Sequence, residues 1–140
     1  MGAFGALAVL LLKVTALAAL APGQALLPLV AGWAAARAVP AWDVALFPYA
    51  RAAGTGKAFS GGSARWALPA ATLIALAAGW WTGGVSGTAF VVGLIAFTLC
   101  VHSFIARRLG GLTGDVYGMG IEIAETLALL AACALITRMY

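Results

Sequence analysis

The stretch TAFVVGLIAFTLCVHSFI, which runs from Thr88 to Ile105, decides the fold class. It contains one histidine and no lysine, arginine, aspartate or glutamate, and its length approaches the roughly 20 apolar residues that a helix needs to cross a bilayer core. The rest of the chain is similar, because 64% of the 140 residues are hydrophobic, 9% are charged and the mean hydropathy is +1.06. Soluble domains carry about 25% charged residues. We therefore predict an all-α, polytopic transmembrane helix bundle.

Proline and tryptophan divide the chain into about five predicted spans. Pro22 is expected to end the first span, because proline cannot continue a helix. Trp66 and the neighbours Trp80 and Trp81 frame the third span, since tryptophan suits the two membrane interfaces. The spans are residues 2–21, 24–49, 66–81, 88–105 and 115–137. Together they form a single transmembrane domain over residues 1–140.

The lysines and arginines predict how the chain is oriented. The loop 50–65 contains Arg51, Lys57 and Arg65, the loop 106–114 contains Arg107 and Arg108, and the turns APG and TGGVSG contain none. Five spans place both charged loops on one side, which the positive-inside rule assigns to the cytoplasm. We predict a multi-pass protein of the cell inner membrane, surrounded by lipid. A net charge of +4 is too small to indicate nucleic acid as a partner, and the sequence leaves homo-oligomerisation open.

The stretch LGGLTGDVYGMGIEIAE, from Leu109 to Glu125, gathers three of the four acids in the chain. On a helix with about 100° per residue, Asp115 and Glu122 lie about 20° apart and Glu125 about 60° further round. Gly118 falls inside this arc, so no bulky side chain separates the carboxylates. Hard oxygen ligands clustered in this way suit Mg²⁺. The alternative is that the acids form polar contacts between helices or pair with arginines.

Basic residues lie inside the predicted spans as well. Lys13 stands near the middle of the first span, where its charge costs about 2.5–3.5 kcal/mol on insertion scales, so we predict that it faces the acidic cluster or a substrate phosphate. Arg37 and Asp43 are expected to pair with other polar groups, and His102 is interpreted as packed or interfacial. Acids for a metal and cations for phosphates are typical of Mg²⁺-dependent phosphoryl-type transfer. A cation transporter, whose acids bind the transported ion, is the alternative.

Three stretches resemble one known family. RRLGGLTGDVYGMGIEIAE closely resembles the C-terminal signature of the cobalamin synthase family, also called adenosylcobinamide-GDP ribazoletransferase, in which basic residues precede L-G-G-x-T-G-D-x-x-G-A-x-I-E-x-x-E. GAFGALAVLLLKVTAL is similar to the family's apolar span with an embedded lysine, and FPYARAAGTGKAF to its Y-A-R-x-x-G-L-G-x-x-F. The resemblance covers nearly the whole chain. Departures are Thr55 for the usual leucine, Ala53 for a common acid, and Met119 followed by Gly120 where small alanines are usual.

The resemblance implies a membrane enzyme of the last steps of cobalamin biosynthesis. Such an enzyme joins adenosylcobinamide-GDP to α-ribazole or its phosphate, releases GMP, gives adenosylcobalamin or its phosphate, and uses Mg²⁺. Carried over to this chain, the catalytic residues are Asp115, Glu122 and Lys13, and the metal ligands are Asp115, Glu122 and Glu125. The residues expected to bind substrate are Arg51, Arg107, Arg108, Gly110, Gly111, Thr113 and Gly114.

The family's second, upstream acidic motif, D-G-x-A-D-x-x-D-G, has no match in this sequence. We therefore expect the chain to be the C-terminal part of a longer family protein, truncated or begun at an internal methionine. Two hypotheses stay open. The chain is a transferase or part of one, or it is a catalytically inactive fragment or a non-enzymatic, ion-binding membrane protein.

Overall fold

The computed structural model of the protein describes residues 2–51 and 64–137. These residues form four helices, which are α1 (Gly2–Ala19), α2 (Pro22–Leu46), α3 (Ala64–Leu109) and α4 (Gly114–Thr137). The described parts of the chain contain one isolated β-bridge and no β-strand, so the all-α prediction is confirmed. Ala53, Thr55 and Lys57, which the sequence singled out, lie outside the described residues, and so does the side chain of Arg65.

Helix α3 folds back on itself within the predicted turn TGGVSG. The backbone is not helical at Gly83 (φ −165°, ψ 21°) or Gly84 (φ 58°, ψ −131°). A Cβ atom built on Gly79 would lie 2.9 Å from the Cα atom of Thr88, although residues nine apart on a continuous helix are about 13 Å apart along its axis. The two halves of α3 therefore run antiparallel and correspond to the third and fourth predicted spans.

Apolar length supports a membrane bundle. Three helices are long and apolar enough to cross a membrane, namely Gly23–Leu46, Trp66–Leu109 and Gly114–Leu135, and Phe4–Ala19 is a shorter apolar helix. As one straight helix, Trp66–Leu109 would be about twice as long as a bilayer core is thick. Because it reverses at Gly84, the described chain consists of five apolar helical segments, as the sequence predicted.

The helix boundaries differ from the predicted ones near proline. Helix α1 ends at Ala19, before the predicted end at residue 21, and Pro22 begins α2 instead of terminating α1. Proline is tolerated in a first helical turn, because the N–H group that it lacks would have no helical partner there. At the other end, α2 stops at Leu46 rather than at residue 49, because the residues after it pair with another loop.

Replacing Gly84 by alanine should destabilise the bundle by about 1–3 kcal/mol, since its backbone conformation is accessible essentially to glycine alone. The matched control is Gly93→Ala on the second half of α3, where an added Cβ meets nothing within 4 Å. That change should be neutral or stabilise by up to about 1 kcal/mol. The free energy of unfolding in mixed detergent micelles measures both. If both variants lost the same amount of unfolding free energy, the chain would not reverse tightly at Gly84.

Helix α2 lies at the centre of the bundle. Its buried alanines Ala31, Ala35 and Ala38 pack in one core cluster against both halves of α3, represented by Ala75 and Val91, and against α4. Small residues allow helix backbones to approach closely in a membrane. A second cluster joins the end of α1 to α2 and α4, while most of the large apolar side chains of α1 are exposed, as expected of a helix in contact with lipid.

A short backbone bridge joins the loop after α2 to the loop before α4. The amide of Ala50 donates to the carbonyl of Leu112 (2.8 Å), and the amide of Leu112 donates to the carbonyl of Pro48 (2.9 Å). Leu112 is fully buried, and Gly111 (φ 153°) passes so close to the carbonyl of Pro48 that a Cβ would collide with it. The bridge therefore holds the FPYAR and LGGLTGD segments side by side.

Candidate functional site

Lys13 joins two carboxylates of α4. Its Nζ atom lies 2.6 Å from Oε2 of Glu122 and 2.6 Å from Oε2 of Glu125. The side chains of Lys13 and Glu125 are 15% and 14% exposed, whereas that of Glu122 is 52% exposed. The sequence predicted a partner for Lys13 inside the bundle, and the structure supplies two. Because the glutamates are three residues apart, they share a helix face, and one ammonium group neutralises part of the charge of both.

Helix α2 contributes a second cation to this cluster and packs closely against α4. Nη1 of Arg37 lies 3.9 Å from Oε1 of Glu125, a long contact made by an arginine whose side chain is 68% exposed. A Cβ built on Gly32 would lie 2.6 Å from Cβ of Ala128, so the absence of a side chain there lets α2 approach α4. The result is a group of two cations and two anions, with no net charge, contributed by three helices.

Asp115 belongs to a separate ion pair at the start of α4. Its Oδ2 atom lies 3.6 Å from Nη2 of Arg51, and the two side chains are 84% and 61% exposed. An exposed pair at this distance adds little to stability. Its position follows from the backbone bridge, because Arg51 directly follows Ala50 and Asp115 lies three residues beyond Leu112. Both charged groups therefore remain accessible to a ligand.

The three predicted metal ligands do not converge on one point. Asp115 contacts Arg51, whereas Glu122 and Glu125 contact Lys13. Asp115 and Glu122 share a helix face but lie about 10 Å apart along its axis. Within residues 2–51 and 64–137, no group of three His, Cys, Asp or Glu side chains could hold a metal ion. A metal shared by Asp115 and Glu122, as predicted, therefore needs water or substrate oxygens as bridging ligands.

The glycine-rich loop forms the start of α4. The carbonyl of Thr113 accepts hydrogen bonds from the amides of Val116 and Tyr117. The predicted substrate-binding residues Gly111, Thr113 and Gly114 are buried or half-buried there, and Gly110 is exposed. The exposed Arg107 and Arg108 end α3 at the same loop, and the guanidinium carbon of Arg108 lies 5.0 Å from the centre of the Phe104 ring. The predicted substrate-binding residues in the described chain are thus grouped at one end of the bundle.

A buried pair between α2 and α3 was not recognised from the sequence. Nδ1 of His102 lies 2.8 Å from Oδ1 of Asp43, and both side chains are fully buried. Among the described residues, Oδ2 of Asp43 and Nε2 of His102 have no hydrogen-bond partner. The imidazole lies against Gly120, where an added Cβ would be 2.6 Å from Nε2. The signal available in the sequence was Gly120 itself, whose missing side chain leaves room for the ring.

The fold and the charged groups define a polytopic helical membrane protein with ion-paired carboxylates along one helix. The family model for cobalamin-5-phosphate synthase matches residues 1–133. The chain belongs to this family.

Individual relatives agree with the family assignment. The adenosylcobinamide-GDP ribazoletransferase of Brevibacillus brevis is 37% identical over 132 residues, which are 93% of this chain and 53% of that protein. The Desulfitobacterium hafniense protein of the same name is 38% identical over 148 residues, covering 96% of this chain and 56% of the relative. The chain thus spans about half the length of these curated relatives. No solved structure matches it.

Proposed function

We propose that this chain acts in the transfer that joins adenosylcobinamide-GDP to α-ribazole or its phosphate. The relatives' name indicates the activity, and one observation carries the proposal. The backbone bridge places Arg51 opposite Asp115, at the end of the α4 face that also carries Glu122 and Glu125. In this proposal, the segments that carry the family's motifs supply cations for a diphosphate and carboxylates for a metal or a proton.

The reaction requires neutralisation of charge around one phosphorus atom. A ribazole hydroxyl oxygen attacks the phosphorus attached to cobinamide, the bond from that phosphorus to the bridging oxygen breaks, and GMP leaves with that oxygen. The hydroxyl proton is lost to a carboxylate of the α4 face. Lys13 and Arg51, with Arg107 and Arg108, would bind the diphosphate oxygens and orient them, and positioning is a large part of catalysis in phosphoryl transfer.

The carboxylates fit a Mg²⁺ ion that keeps part of its water shell. Mg²⁺ is usually bound by one or two carboxylates together with waters and substrate phosphates. Asp115 and Glu122 are accessible, and a Cβ on Gly118 between them would meet nothing within 4 Å. Glu122 and Glu125 would hold the ion directly, and Asp115 would hold it through water or substrate oxygens. The ion would supply Lewis-acid neutralisation of the diphosphate when bound.

The proposed location is the inner membrane with the charged loops in the cytoplasm. Arg51, Arg107 and Arg108 lie in or beside the two loops that meet at the backbone bridge, so they lie at one end of the bundle. The positive-inside rule favours the cytoplasm for that end. A nucleotide-linked substrate would reach the carboxylate face from the same side.

The proposal can be tested in a hybrid protein in which this chain replaces the matching segment of the Brevibacillus brevis relative. Purified in detergent with Mg²⁺, the hybrid should convert adenosylcobinamide-GDP and α-ribazole into adenosylcobalamin and GMP, both measured by chromatography. Chelation of the metal should stop the reaction. The 140-residue chain alone should give far less product, because all three of its proposed metal-binding carboxylates lie on a single helix. An inactive hybrid, beside an active and equally well-folded parent relative, would contradict the proposal.

Arg51→Gln in the hybrid should raise KM for adenosylcobinamide-GDP about 10- to 100-fold, the effect of losing one charged hydrogen bond to phosphate. Arg51→Lys should recover part of the affinity, because it keeps the charge but loses the planar fork. The unfolding free energy should stay within about 1 kcal/mol of the original, since the pair with Asp115 is exposed. Steady-state kinetics and unfolding measure the two effects. A large loss of stability with unchanged KM would assign Arg51 a structural role instead.

A further inference from the structure

Lys13 occupies the position of a cation between Glu122 and Glu125. Its ammonium lies 2.6 Å from one oxygen of each glutamate, and it is the single charged side chain of α1. Two carboxylates one helical turn apart in a membrane need a nearby cation, because each is costly there when unpaired. The ammonium meets this need without a metal ion.

A divalent ion bound by the same two carboxylates would compete with Lys13. Its site would lie within about 4 Å of the ammonium, where like charges repel strongly in a partly buried setting. The lysine stem is flexible and its charge is a compact point, so the side chain can move without unfolding the helix. A cavity of about 210 Å³ adjoins it, lined in part by Gly32, Trp33 and Glu125, and gives it room to do so.

We propose that Lys13 is an exchangeable counter-ion of the site. It pairs with Glu122 and Glu125 while no divalent metal is bound, and it leaves them when the metal binds. The released ammonium is then available to the diphosphate of the substrate. This inference rests on the metal assignment in the proposed function, and it explains how one lysine can serve both the acidic cluster and a phosphate.

The competition can be measured by Mn²⁺ binding, followed by electron paramagnetic resonance. The 140-residue chain is placed in nanodiscs of uncharged phosphatidylcholine, so that lipid headgroups bind little metal. Lys13→Met removes the competing charge and should tighten Mn²⁺ binding at least tenfold. Lys13→Arg keeps the charge and should not tighten it. Glu125→Gln, in contrast, should weaken binding, because it removes a ligand.

A second readout follows Lys13 in the unaltered chain. Reductive methylation of its amine, quantified by mass spectrometry, should become several-fold faster when Mn²⁺ or Mg²⁺ is added, because the ammonium is released from its two ion pairs. Lys57, the other lysine of the chain, provides the internal reference and should show no comparable change. This measurement does not depend on how well the Lys13→Met variant folds.

The outcomes separate this inference from the function on which it rests. Tighter binding in Lys13→Met and metal-dependent methylation of Lys13 would support the exchange. A different set of results would overturn the exchange alone. In that case the unaltered chain binds Mn²⁺, but a folded Lys13→Met variant binds it with equal or lower affinity, or the methylation of Lys13 does not change when metal is added. No Mn²⁺ binding to either protein would overturn both the exchange and the metal assignment.

Discussion

Replacing Glu122 by glutamine, or Asp115 by asparagine, in the hybrid transferase is expected to lower kcat about a thousandfold. Each change keeps the size of the side chain and removes the negative charge that would hold Mg²⁺. A bound metal contributes several kcal/mol of charge stabilisation in the transition state, and about 4 kcal/mol corresponds to a factor of a thousand. The rates should be measured at limiting and at saturating Mg²⁺, because a weakened ligand set is partly rescued by more metal.

Two comparisons make this result specific to the carboxylates. Leu130→Met changes an exposed side chain about two turns beyond Glu122 on the same helix and should leave kcat unchanged. Glu122→Asp retains the charge on a shorter stem, so it should retain more activity than Glu122→Gln. If both the Asp115→Asn and Glu122→Gln variants turned over at the original rate with limiting Mg²⁺, the assignment of the metal to these residues would be wrong.

The variant His102→Leu is expected to destabilise the protein by about 3–5 kcal/mol. It removes the imidazole that contacts Oδ1 of Asp43 and leaves a fully buried carboxyl group without a hydrogen-bond partner. Breaking a buried pair by removing one partner has this magnitude, because the remaining group cannot return to water. The unfolding free energy in mixed micelles is the quantity to measure.

The double variant Asp43→Ala/His102→Leu provides the control. With both polar groups gone, the site is apolar, so much of the stability lost in His102→Leu should return. The double-mutant cycle of Asp43→Ala, His102→Leu and their combination then gives the coupling energy of the pair. Additive effects, with a coupling below about 0.5 kcal/mol, would show that the contact contributes little beyond packing.

The number of helical segments could be predicted from the sequence, with the two halves of α3 counted separately, because apolar length and glycine or proline content determine them. The turn TGGVSG was predicted where Gly83 and Gly84 reverse the chain, and the last span was predicted to begin at residue 115, one position from Gly114. The boundary at Pro22 was wrong, because the same residue is compatible with ending one helix and with beginning the next.

The partners of the charged groups were harder to predict. The pairs Lys13 with Glu122 and Asp43 with His102 join residues that are distant in sequence and lie on different helices. Such pairs depend on the rotation and depth of each helix, which a hydrophobic pattern reveals only when one face is polar. These helices are apolar almost all round, so the sequence indicated that Lys13 needed a partner without deciding which residue it would be. Helical periodicity predicts a shared face for Asp115 and Glu122, but the two acids contact different cations, Arg51 and Lys13.

The backbone bridge between Ala50 and Leu112 also has a consequence for how the protein is made. A ribosome that has just completed the Arg51 segment must add about sixty more residues before Leu112 exists. At typical synthesis rates of about 5–20 residues per second, this delay is about 3–12 seconds. During that interval the amide of Ala50 and the carbonyl of Pro48 lack their final partner, and Arg51 has no Asp115 beside it. The end of the bundle that carries Arg51 therefore acquires its final structure only after Leu112 and Asp115 have been translated.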